Sequence, residues 1–139
     1  MKILRSESGA SIVEFAIVAP FLALLLVGTI DFGRYMYDGI LLANAARAGV
    51  QYGAQNLQTA VDSTGIQNAA YADASNLTVH ATTTTFCKLG VVATTCSASG
   101  AVPYVQVIAS GTWSPMISYP GLPASMTLSQ TAVMRVENQ

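Results

Sequence analysis

The sequence predicts an α+β fold: a long N-terminal transmembrane and amphipathic helix, a short second helix and a three-stranded antiparallel sheet. Three observations predict it. An uncharged apolar block runs from Phe15 to Ile30. The residues after it keep a helical spacing to about Gln55. From Leu77 onward the period changes from 3.6 to 2.

With Ile12 and Val13 added, the apolar block reaches the roughly 20 residues that a helix needs to cross a bilayer core. Glu14 is the ionisable residue at its start. Lys2 and Arg5 precede the block against Glu7, which favours a cytoplasmic amino terminus; Arg34 lies on the other side. Pro20 removes one backbone hydrogen bond and predicts a kink. An ordinary cleaved signal is the competing reading, because Ala43-Asn44-Ala45 fits a small-x-small cleavage pattern. That site lies far past the block, and the block exceeds a usual signal core of about 7–15 residues.

Past Ile30, Tyr37, Leu41, Ala45, Ala48 and Tyr52 recur at spacings of one helix face. Asp31, Arg34 and Asp38 stand at i, i+3 and i, i+4 spacing and predict a charge ladder. The glycines of this stretch, Gly49 and Gly53 among them, point to close helix packing or to local fraying. Ile66, Ala69, Ala70 and Asp73 sit in a short second helix, with Asp62 or Ser63 as its N-cap.

The first strand alternates Leu77, Val79 and Ala81 with Thr78, His80 and Thr82, and continues into the β-branched run Thr82–Thr85. The second covers Tyr104–Ala109. The third alternates Met126, Leu128, Gln130, Ala132 and Met134 with Thr127, Ser129, Thr131, Val133 and Arg135. The prolines and Gly121 between Trp113 and Pro123 make that stretch a connecting loop. A sheet with one apolar face needs a cover, which the helix supplies.

Composition narrows the functions. Charged residues are 9 % of the chain and the net charge is −1, so there is no basic patch for phosphate and no nucleic-acid partner is expected. The few charges and many small residues fit a surface that packs on other protein, or a secreted domain with an uncharged polar surface. No enzymatic arrangement is evident: His80 has no nucleophile elbow to serve, and no glycine-rich phosphate loop is present. No metal or cofactor is expected, because Cys87, Cys96 and His80 lack further ligands at suitable spacing. Cys87 and Cys96 close a short loop and read as a disulfide in an extracytoplasmic domain. Asn76-Leu77-Thr78 is a glycosylation sequon, a triplet that is common by chance. Trp113 and Tyr119 read as anchors of the loop in the core, with a contact patch as the alternative. Glu14 stands apart, since a carboxylate inside an apolar span has a partner or a role unless it reaches interfacial water.

Gly9-Ala10-Ser11-Ile12-Val13-Glu14-Phe15 resembles the processing motif of type IV pilin-like proteins: a Gly, then an apolar stretch with Glu as the fifth residue after it. The longer run through Leu22, followed by Ile30-Asp31-Phe32-Gly33-Arg34 and Asn44-Ala45-Ala46-Arg47-Ala48-Gly49, is similar to the TadE-like family, minor pseudopilins of tight-adherence (Flp-type) pilus systems. The strands Tyr104–Val107 and Thr127–Arg135 share the likeness more loosely. The resemblance implies a pilin-like fold and a leader cut between Gly9 and Ala10 by a prepilin peptidase. It further implies other pilins and pseudopilins, the assembly machinery and membrane lipid as partners. Ala10 stands where the pattern more often has a larger apolar residue.

The chain is thus expected to consist of a leader, 1–9, a transmembrane and extended helix, 10–55, and an extracytoplasmic α+β domain, 56–139. The function expected is a non-enzymatic pseudopilin, a single-pass inner-membrane subunit taking part in assembly of a tight-adherence pilus or a related secretion system, with Glu14 as its assembly carboxylate. A membrane-anchored extracytoplasmic binding or adhesion module is the alternative.

Overall fold

The computed structural model describes residues 8–74, 77–118 and 121–137. Helix α1 runs Ser8–Gly53, α2 Leu57–Val61 and α3 Ser63–Asp73; the strands are β1 Val79–Leu89, β2 Val92–Thr94, β3 Val102–Trp113 and β4 Met126–Arg135. The chain divides into two compact units, Met1–Arg34 and Tyr35–Gln139, so the boundary falls inside α1.

In the first unit α1 continues through Pro20. Pro20 has no N–H, so the carbonyl of Ala16 loses its i+4 donor. Thr29 directs its hydroxyl inward along the helix, donating to the Leu25 carbonyl at 2.8 Å. A hydroxyl satisfied in this way does not need water. The apolar side chains of this segment are exposed, Phe21 at 73 % and Leu25 at 67 %. Among the described residues α1 is the helix long and apolar enough to cross a membrane. Of the charge ladder the structure has the Asp31–Arg34 rung: Arg34 Nη1 donates to Asp31 Oδ1 at 3.3 Å, and Asp31 is 3 % exposed.

The second unit is built on an antiparallel sheet of order β2-β1-β3-β4. The sheet has four strands, not three. The added strand, β2, pairs Thr94 with Cys87 and Val92 with Leu89. Three residues are too few to display an alternation, which is why periodicity passes over it. Gly90, at φ +65°, makes the tight turn of this hairpin. The Cys87–Cys96 disulfide closes the hairpin with a Cα–Cα distance of 5.0 Å.

One sheet face carries Val79 and Ala81 of β1, Val105, Val107 and Ala109 of β3, and Leu128 of β4, all buried. Against it pack Leu42, Ala45, Ala46 and Val50 of α1 with Ile66 and Ala70 of α3. Of the face the sequence suggests, Ala45 is buried and Leu41, Ala48 and Tyr52 are half-buried, so the stripe that α1 buries is shifted only in part. Tyr37 is exposed, while Leu42, Ala46, Gly49 and Gly53 are buried. Small residues decide this shift, because they let the sheet and α3 approach the helix backbone. A Cβ at Gly49 would lie 3.2 Å from the Ile66 carbonyl oxygen and from Val107 Cγ1. A Cβ at Gly53 would lie 2.9 Å from Ile66 Cδ1. These two glycines pack against α3 and β3 rather than fray.

A second correction concerns the helices after α1, of which there are two. Asn56 caps α2: its side chain accepts from Gln58 N at 2.9 Å and Thr59 N at 2.8 Å, and Thr59 Oγ1 accepts from Asn56 N at 3.1 Å. This reciprocal box stabilises a helix of only five residues, too short to show a period. Asp62 then starts α3 as its N-cap, its Oδ1 accepting from Gly65 N at 3.0 Å.

Candidate functional site

Gly9, Ala10 and Glu14 all lie in the first turns of α1 and are exposed. A helix repeats every 3.6 residues, so Ala10 and Glu14, four apart, share one face about one turn from each other. A Cβ added at Gly9 would meet nothing within 4 Å, so packing does not dictate the glycine. Glycine has a low helix propensity. Lys2 and Arg5, the cations of the leader, lie outside the described residues.

The cysteines belong to the other unit. Cys87 is buried in β1 and is joined to Cys96 just after β2. Trp113 ends β3 rather than opening a loop. It is 7 % exposed and meets Tyr35 edge-on, with ring centroids 5.6 Å apart at 87°. It is thus a core anchor. Tyr119 and Asn76 of the sequon lie outside the described residues. His80 is exposed on β1. Among the described residues no group of three or more His, Cys, Asp or Glu is arranged to hold a metal.

Residues 9–51 match the family model described as TadE-like protein. The match falls on α1 and includes Gly9, Ala10 and Glu14 as well as the buried residues Leu42 and Val50. No curated protein and no solved structure matches the chain. The TadE-like segment also bears on the competing signal-cleavage reading. Ala45 and Ala46 are both buried, so a cut after Ala45 would sever the core helix and take Leu42 from its place against the sheet.

One cluster was not singled out by sequence. Tyr52 Oη donates to Asp62 Oδ2 at 2.9 Å, tying the end of α1 to the start of α3. The Gly65 N–H, and then the Tyr52 hydroxyl, hold the Asp62 carboxyl below its ordinary value. The same bond to Asp62 raises Tyr52 above the ordinary tyrosine value. Gly65 is required here, because a Cβ would collide with both Asp62 and Tyr52. The signal in the sequence is the pair Asp62 and Gly65 at N-cap spacing; the Tyr52 contact spans a chain reversal and leaves no local trace.

Proposed function

We propose that the chain is a structural pseudopilin, a non-enzymatic subunit that inserts in the inner membrane and takes part in assembling a tight-adherence pilus. One observation carries the reading: the TadE-like match coincides with a helix whose first unit exposes its apolar side chains and bears a Gly, then Glu14 as the fifth residue after it. In this reading a prepilin peptidase removes residues 1–9 on the cytoplasmic side. The helix then spans the bilayer, and the sheet-bearing unit stands outside the cytoplasm, where its disulfide is stable. The partners are that peptidase, other pilins and pseudopilins, the assembly machinery and lipid.

Cleavage gives Ala10 a positively charged amine one helical turn from Glu14. Opposite charges attract strongly in apolar surroundings. A neighbouring subunit displaced along a fibre presents the same amine to Glu14, so the pair rewards one axial register, and a misplaced subunit leaves a buried charge alone. Glu14→Gln and Glu14→Val should therefore be processed, inserted and folded normally yet fail to enter assemblies. Immunoblots of sheared pilus material and of solubilised assembly complexes test this. Wild-type amounts of both variants in those fractions would leave Glu14 as an interfacial carboxylate only. Absence of the wild-type chain from both fractions would favour an anchored binding module instead.

A further inference from the structure

On the sheet face opposite the core, the register aligns Phe86 of β1, Tyr104 of β3 and Arg135 of β4 in one row across three strands. The Phe86 and Tyr104 rings are stacked, with centroids 5.7 Å apart and planes 14° from parallel. Lys88, two residues beyond Phe86 on the same face of β1, holds its Nζ 5.3 Å from the Phe86 centroid and 5.5 Å from that of Tyr104. The Lys88 ammonium thus lies over both rings, and Arg135 is the register partner of Tyr104 on the next strand.

The charge on this face has one sign. Strand alternation gives it Lys88 and Arg135, with His80 farther along β1, and no Asp or Glu among the described residues. Neither Lys88 nor Arg135 forms an ion pair among the described residues. Of the unit's acids, Asp38, Asp62 and Asp73 are on or beside the helices, and Glu137, past β4 with its N–H bonded to the Ala54 carbonyl, lines one pocket with Arg135. The rest of the face is rich in hydroxyls and amide, with Thr82, Thr84, Gln106, Ser110, Ser129 and Thr131 arrayed below the aromatic row.

We propose that this face binds an acidic polysaccharide, a chain of uronic acid units. The row asks for three things together. The half-exposed rings would pack their remaining apolar surface against the C–H groups of a sugar, the cations would take its carboxylates, and the hydroxyls and Gln106 would exchange hydrogen bonds with its hydroxyls. Two strand spacings of about 4.8 Å set Phe86 to Arg135 at about 10 Å, the length of a disaccharide. A nucleic acid fits poorly: duplex DNA carries a charge about every 1.7 Å, and this face answers with two fixed cations and a histidine. The inference goes beyond the pseudopilin reading and is independent of it, since it concerns a single subunit.

The test is titration of polygalacturonate onto the full chain held in phosphatidylcholine nanodiscs, with dextran and single-stranded DNA as controls. Saturable binding to polygalacturonate that weakens with salt, and none to dextran, is expected. The double variant Lys88→Gln, Arg135→Gln should lose about tenfold or more in affinity, as the loss of two charge-assisted contacts implies. Lys88→Arg should retain it. Phe86→Leu, which keeps the strand apolar at that point, should weaken binding as well, and retained tryptophan fluorescence shows that each variant is folded. Absence of saturable binding, equal binding of dextran, tighter binding of DNA, or a folded double variant that binds like the wild type would each overturn the proposal.

Discussion

Leu25 and Leu42 stand in the same helix, α1, yet Leu25 is 67 % exposed and Leu42 is fully buried. The difference is not one of residue chemistry. Leu42 has a sheet and α3 to pack against, and it belongs to a core with Val107 and Ile66. Among the described residues Leu25 has no such cover. Each Å² of apolar surface left in water forgoes about 25 cal/mol, so a run from Phe15 to Ile30 is tolerated where another apolar phase takes the place of protein. One helix thus serves two solvents. The change comes near Arg34, where the compact units divide and where the side chains of Asp31 and Arg34 pair.

Substitutions should break this comparison unevenly. Ile66→Ala empties a fully buried site and should cost about 2–5 kcal/mol of the stability of the second unit. Leu25→Ala should leave that stability unchanged. Thermal unfolding of the full chain in neutral micelles checks both, followed by the fluorescence of Trp113, the chain's single tryptophan, packed on Tyr35. An equal loss from Leu25→Ala would mean that the two parts of α1 do not differ as described.

Next in size is the disulfide. In the chain-entropy model a loop as short as that from Cys87 to Cys96 is worth roughly 2.5–3 kcal/mol. Cys87→Ser with Cys96→Ser should lower the midpoint of the same transition accordingly, and wild-type protein treated with reductant should match the variant. Two free thiols on non-reducing alkylation of protein from the native envelope would contradict the bond itself.

The smallest effect is a pH dependence confined to the second unit. The Gly65 N–H and the Tyr52 hydroxyl lower the folded Asp62 value below its ordinary 3.8. A lowered carboxyl contributes stability that is present above the unfolded value and lost as pH falls through the folded one. Acid below about pH 4 should therefore weaken the wild type, and Asp62→Asn should flatten that limb of the stability curve. Tyr52 has the opposite sign. Its folded value is raised above 10.0, so its contribution holds below that pH and is lost as alkali ionises it. Tyr52→Phe should remove the alkaline limb and soften the acid one, since Gly65 still holds Asp62.

Residues with long, clean periods were legible in the sequence. The apolar block needs no partner to be recognised, and the alternation of β3 and β4 survives in Val105 and Val107 and in Leu128 because one face is buried. Elements shorter than a period were not: β2 and α2 are specified by a turn and a capping box. The buried face of α1 was read in part: Ala45 is in the core as the spacing suggests, while the small side chains at Ala46, Gly49 and Gly53 widen the buried stripe and leave Tyr37 outside it. At the candidate site, Gly9 stands out only through the resemblance and Glu14 through the apolar run around it, whereas the row of Phe86, Tyr104 and Arg135 depends on register, which no local pattern encodes.

The mature amino terminus of the membrane-assembled protein, read by mass spectrometry in cells with an active prepilin peptidase, tests the central claim most directly. The account predicts a chain that begins at Ala10, with Glu14 as its fifth residue, and no cut near Ala45. An intact Met1 terminus, or a chain beginning at Ala46 with the apolar helix gone, would contradict it.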